Sequence, residues 1–328
     1  MLRLTATLLL LAAGVAAAAD AKNCRLVRVA ELSTRNAEYS PVVDGAINGR
    51  SVGVMLDTGA SRSVIRRPAA VRLGLTIQEA TGYRVFGIGG EAKAEAAILE
   101  EFRLGEFTRK DWRVLVAGTS DTRTDVAINI GDDFFQNVDV EFDLANNKVR
   151  LFQPLDCKGA KLGYWASDGI GEVAMEPGER TEFFVEINGR PVRALLDSGA
   201  GTSIVTTLHA ERLGFTPQTP GVATGGCAGG FGNKLTDSWI ATFQSFSIGN
   251  ETIRNPAIRF GDVWQHATQT ETGSRLSRSI DVMPGMLLGA DFLRSHRVLI
   301  ANSQRKVYFS HSGGTVFPTA PAKSCPEK

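Results

Sequence analysis

Short stretches of alternating apolar and polar residues recur along this chain, separated by turn-forming residues. PVVDGAI (41–47), SVGVML (51–56), RVLVA (113–117), DVEFDL (139–144) and KVRLF (148–152) have the β-branched, alternating character of half-buried strands. FFVEI (183–187), VRALL (192–196), ATFQSFSI (241–248) and RVLIA (297–301) repeat it in the second half. Asn48-Gly49 and Asn188-Gly189 each sit between two such runs and predict two-residue hairpins. Helical periodicity is confined to PAAVRLG (68–74) and LHAERLG (208–214), one short helix in each half, stopped by Gly74 and Gly214. The chain therefore reads as mostly β.

The two halves are copies. Residues 47–75 and 187–215 align without a gap and share 14 of 29 positions. Self-similarity of this kind signals an internal duplication. It continues through two glycine-rich stretches, VFGIGGEAKA (85–94) and TGGCAGGFGNK (224–234). A third pair is AINIGDDFFQNVDVEFDLANNKVRLF (127–152) and MLLGADFLRSHRVLIANSQRKVYF (286–309). The second copy carries an insertion within residues 261–284. These limits predict a first domain over residues 20–156, a turn-rich linker over 157–180, a second domain over 181–311 and a loose tail over 312–328.

The strongest chemical signal lies inside the repeat. Asp57-Thr58-Gly59-Ala60 and Asp197-Ser198-Gly199-Ala200 each follow an apolar run. Two carboxylates delivered by two copies of one local structure are what a water-activating acid–base pair requires. Like charges about 3 Å apart cannot both ionise readily, so such a pair shares one proton and titrates as a unit.

These residues resemble the aspartic protease clan, in particular its retropepsin-like branch. There the Asp-Thr/Ser-Gly-Ala loop is catalytic, a glycine-rich hairpin forms a flap over the substrate, and a later apolar-apolar-Gly motif packs beneath the loop. Both copies carry all three. The flap counterparts are Gly87, Ile88, Gly89 and Gly90 in the first and Gly226, Cys227, Gly229 and Gly230 in the second. The buttress counterparts are Asn129-Ile130-Gly131-Asp132 and Leu287-Leu288-Gly289-Ala290-Asp291. Two positions depart from the pattern: Asn129 interrupts the apolar pair, and Gly201 stands where Ser or Thr is usual.

The resemblance implies two tandem retropepsin-like β-barrel domains related by a pseudo-two-fold axis, an intramolecular dimer in a monomeric chain. It implies an aspartic endopeptidase acting on an extended peptide or protein, with Asp57 and Asp197 as the catalytic dyad. Thr58, Gly59, Ser198 and Gly199 support the loops, and no metal or organic cofactor is involved. Two other readings stay open: a non-catalytic peptide-binding module on the same fold, and a homodimer with dyads formed between chains.

Charge and termini narrow the setting. A formal net charge of +1, with no basic run, points away from nucleic acid. Residues 1–19 read as a secretory signal, with a short basic start, an apolar stretch and Ala17-Ala18-Ala19 before Asp20. Its removal takes one Arg and leaves a formally neutral chain, expected in a periplasm or secreted, without stable membrane insertion. Four cysteines, Cys24, Cys157, Cys227 and Cys325, then predict disulfides. Cys24 and Cys157 bracket the first copy and are the preferred pair; Cys227 lies in a glycine-rich loop.

Overall fold

The computed structural model describes residues 23–35, 40–88, 90–118, 124–178, 180–230, 235–264 and 283–325. The expected signal segment, Gly89 and most of the 261–284 insertion lie outside them.

Each copy opens on the hairpin its Asn-Gly pair predicts. Val42–Ile47 pairs with Arg50–Leu56, and Glu182–Ile187 with Arg190–Leu196, both antiparallel. The turn residues have φ of +48° and +76° in the first copy and +52° and +70° in the second. Asn and Gly are the residues that tolerate this left-handed backbone in succession, so the sequence fixes both turn and register. Beyond each Asp loop run a three-residue strand, Val64–Arg66 or Ile204–Thr206, and a one-and-a-half-turn helix, Arg67–Arg72 or Thr207–Arg212. Gly74 and Gly214 follow those helices at φ of +68° and +89°.

A late strand then returns to the centre of each copy. Val126–Ile130 lies parallel to Arg50–Leu56 and antiparallel to Val64–Arg66. Met286–Leu288 repeats this against Arg190–Leu196 and Ile204–Thr206. The strand leading into each Asp loop and the strand leaving it are thereby held by the same return strand.

The copies are joined through a shared sheet. Asp139–Asp143 of the first pairs antiparallel with His296–Ala301 of the second, flanked by Lys148–Leu155 and Lys306–His311. Arg25–Arg35 and Gly171–Ala174 extend this layer on either side. The last of these strands lies within the turn-rich 157–180 segment. Alternating side chains of this layer send Phe142, Val298, Ile300 and Phe309 into one apolar core that reaches both copies. The opposite face of the layer carries a second apolar cluster with Phe152, Leu299 and Tyr308, and beside it Glu141, fully buried, held by Arg150 of the first copy and by Arg297 of the second at 3.0 Å. Losing both arginines would strand a buried charge, a change that costs about 3–5 kcal/mol.

Cys24 is bonded to Cys157 and Cys227 to Cys325. The first pair is the one preferred from sequence. The second corrects the picture of a loose tail: Ala322 donates its N–H to the Thr224 carbonyl at 3.0 Å, and the Cys325 N–H reaches Asp237 at 2.8 Å. Thiol titration of oxidised protein, denatured without reductant, should find essentially none of the four cysteines free; four free thiols would contradict both bonds.

Candidate active site

Asp57 and Asp197 lie 140 positions apart in the chain and meet at the junction of the two copies. Each emerges from an apolar strand, and its N–H is fixed to the return strand: Asp57 to the Ile130 carbonyl and Asp197 to the Leu288 carbonyl, both at 2.9 Å. Each loop then doubles back, Ala60 and Ala200 donating to the carbonyls of Asp57 and Asp197 at 3.2 and 3.1 Å.

The hydroxyl residues brace one loop against the other. Thr58 Oγ1 donates to the Leu196 carbonyl at 2.7 Å and accepts the Ser198 N–H at 3.0 Å. Ser198 Oγ donates to the Leu56 carbonyl at 2.6 Å and accepts the Thr58 N–H at 3.0 Å. Both side chains are buried, at 1% and 0% exposure, so all four bonds are shielded from water. This reciprocal lock is why a small hydroxyl residue follows each Asp.

The glycines that follow bring the carboxylates together. A Cβ on Gly59 would lie 2.3 Å from Asp197 Cγ, and one on Gly199 would lie 2.3 Å from Asp57 Oδ1. Each carboxylate therefore rests on the other copy's glycine, where no side chain fits.

A second layer holds the loops from below. Ser63 donates through its N–H and Oγ to Asp133, and Ser203 does the same to Asp291. The serine hydroxyls in turn accept the N–H groups of Gly131 and Gly289 at 3.1 and 2.8 Å. Those glycines pass so close to the loop carbonyls of Ala60 and Ala200 that a Cβ would lie within 2.8 Å of either.

A family model described as "Aspartyl protease" matches the chain twice, over residues 43–134 and 184–292. The chain belongs to the aspartyl protease family. Each match spans one copy, from the opening hairpin to the helix after the buttress glycine, so the fold is that of two tandem protease units. Among solved structures, the aspartic proteinase from Irpex lacteus aligns over 86% of this chain and 97% of its own, at 12% identity and a TM-score of 0.47. No curated protein matches the chain in sequence.

In this aspartyl protease the pair of carboxyls is held above the ordinary carboxylate range. Burial is the largest cause for both, and for Asp197 the neighbouring charge of Asp57 comes next. Backbone N–H groups oppose the rise: Gly59 reaches Asp57 Oδ1 at 3.2 Å, and Ala200 reaches Asp197 Oδ1 at 3.1 Å.

Both glycine-rich stretches lie in antiparallel hairpins. Gln78–Gly87 pairs with Gly90–Leu104, closing at Gly87 and Gly90. Ala223–Ala228 pairs with Thr236–Thr242. Ile88 at the first tip approaches Gly230 of the second, where a Cβ would lie 2.9 Å from Ile88 Cβ. Gly229 sits beside Leu235, Gly226 takes a φ of +86°, and Cys227 carries the bond to the tail.

Sequence reasoning missed several neighbours. Ile88 reaches across to an apolar patch of the second copy made by Leu195, Ile204, Val263 and Leu287, with Trp264 beside it. Ser40 Oγ donates to the Gly199 carbonyl at 2.8 Å, and Arg180 reaches the Gly59 carbonyl at 3.3 Å, so each loop is pinned by the segment entering the other copy. Asp132 is buried close to the dyad and is pushed up to about 8, chiefly by burial. Ser40 and Arg180 carry no local signal, and Asp132 shows only in the alignment of Asn129-Ile130-Gly131-Asp132 with Leu287-Leu288-Gly289-Ala290.

Proposed function

We propose that this protein is an aspartic endopeptidase in which Asp57 and Asp197 of one chain activate water against the peptide bonds of an extended substrate. The observation that carries this is the reciprocal lock of Thr58 and Ser198, which holds two carboxyls against each other's loop glycine. Burial and mutual repulsion keep one proton on the pair, so it holds a base for the water and an acid for the carbonyl oxygen together. The reaction calls on no group beyond these residues and water.

The substrate lies between the copies, beneath Gly87, Ile88 and Gly90 on one side and Gly226, Cys227, Gly229 and Gly230 on the other. Flap strands offer backbone N–H and C=O groups to an extended chain, a β-addition mode of recognition. Glycines at the tips supply the freedom to open and close. The working unit is the monomer, because both carboxyls come from one chain. The setting is periplasmic or secreted: residues 1–19 read as an export signal, and two disulfides suit an oxidising compartment. No helix among the described residues is long and apolar enough to cross a membrane.

The raised pair gives a pH expectation. Ala60 and Ala200 follow the loop glycines, where a hydroxyl would donate to the ionised carboxylate and lower its pKa. With that donor missing twice, the proton is kept to higher pH, and the bell-shaped profile of kcat/KM should run from mildly acidic towards neutral conditions. Ala60→Ser and Ala200→Ser should each move the profile towards acid. A wild-type optimum confined to strongly acidic pH would sink this account.

The test of the function is incubation of the purified chain with a mixed peptide library, read by mass spectrometry. Internal cleavage, blocked by a peptide with a hydroxyl-bearing tetrahedral isostere at the scissile position, supports it. Saturable binding of peptides without cleavage would leave a binding module on the same fold.

A further inference from the structure

The two halves of the site share loops, locks and struts but differ in the side chain above each buttress. Asn129 pairs with Met55 in the parallel strands that lead to Asp57, and Leu287 pairs with Leu195 in those that lead to Asp197. Asn129 is 6% exposed, and its Nδ2 donates to Asp57 Oδ2 at 3.0 Å. Its Oδ1 is buried without a hydrogen-bond partner. An unsatisfied buried carbonyl is costly, yet the position keeps an amide where its counterpart is leucine. Leucine has nothing to donate to Asp197.

The backbone contributes evenly. The amides of Gly59 and Ala60 act on Asp57, and those of Gly199 and Ala200 act on Asp197. The Asn129 amide is therefore an extra donor on one side, and it is the strongest influence favouring the charged form of Asp57. A donor stabilises a carboxylate over a carboxylic acid. The charged neighbours do not reverse the bias. Arg180 favours ionisation of Asp197, but less than either backbone amide there. Asp132, also faced by Asp133, Arg180 and Arg305, is raised to about 8 and so is largely protonated, hence uncharged, at neutral pH.

We propose that Asn129 is a positioning residue that divides the labour in the dyad. It holds Asp57 as the ionised carboxylate and leaves the shared proton on Asp197. This rests on the protease reading and assigns the steps within it. Asp57 takes a proton from water as the water oxygen bonds to the scissile carbon, while the Asp197 proton passes to the carbonyl oxygen. The resulting gem-diol collapses as Asp57 returns its proton to the leaving nitrogen and the C–N bond breaks. One diol hydroxyl gives its proton back to Asp197, restoring the starting state.

The test uses the full chain labelled with ¹³C at the Asp side-chain carboxyls and titrated by NMR, each resonance assigned by its loss in Asp57→Asn or Asp197→Asn. In the wild type, Asp57 should ionise at lower pH than Asp197. Asn129→Leu should raise the Asp57 step, and the acid limb of kcat/KM with it, by about one pH unit, the size expected for loss of one bond to a charged group. Leu287→Asn combined with Asn129→Leu should invert the order. Asp197 ionising first in the wild type, or an Asp57 step unmoved in Asn129→Leu, would overturn the assignment. If the leucine variant fails to fold, the wild-type order decides alone. If the wild type cleaves no peptide, the NMR titration still reads Asn129, so the two failures are told apart.

Discussion

Asp57→Asn and Asp197→Asn should each lower kcat/KM for a peptide substrate by roughly four orders of magnitude, the scale seen when one member of a catalytic unit is removed. The change is isosteric. It keeps the hydrogen-bond geometry of the loop but takes away either the base or the site of the shared proton. In the proposed mechanism the two carboxyls act as a unit, so the double variant should be little slower than either single one. The fold should survive. A carboxyl raised on folding adds stability only in the protonated form, at pH below its ordinary range, and this is lost as pH rises through the raised value. Both aspartates are raised. At neutral pH each Asn variant should therefore melt no lower than the wild type. Kinetics and thermal melts on the three variants check both halves, and substantial activity in Asp197→Asn would break the intramolecular dyad.

Gly59→Ala and Gly199→Ala should be nearly as damaging, for a different reason. The added methyl would lie 2.3 Å from the opposite carboxyl in either case. That is far inside van der Waals contact, so the carboxyl or the loop must move. The Thr58–Ser198 lock resists loop movement from both sides. Displacing a catalytic group by about 1 Å costs on the order of a hundredfold in rate, and overpacking costs about 1–3 kcal/mol of stability. Each variant should thus lose at least that factor in kcat and melt earlier. Full activity in Gly199→Ala would mean that the carboxyls do not rest on the opposing glycines.

Much of this was legible in the sequence because it is local and occurs twice. The Asn-Gly turns, the short helices stopped by Gly74 and Gly214, the Asp loops and the buttress glycines are set by residues a few positions apart. Duplication turned each weak signal into a strong one. The hydroxyl lock was readable only through the resemblance, since Thr58 and Ser198 are partners across the whole first copy. What escaped was contact without a local pattern. Arg180 reaches Gly59 from 121 positions away and Ser40 reaches Gly199 from 159. The tail reads as a loose end because Gly, Pro and Ser carry no strand signal, yet Ala322 and Cys325 fasten it to the second hairpin. Gly171–Ala174 was hidden in the same way: a four-residue edge strand is too short to show alternation. Asn129 was visible as a break in an apolar pair, but the carboxyl it serves is 72 positions away.

The most direct test of the central claim is hydrolysis of an unstructured protein by the purified monomer in ¹⁸O-labelled water. The two-carboxyl mechanism predicts internal cleavage with label in each new carboxyl terminus, no covalent enzyme–substrate adduct, and loss of all products in Asp57→Asn and Asp197→Asn. An intact substrate from acidic to neutral pH with folded wild-type protein, or cleavage that persists in either variant, would contradict it.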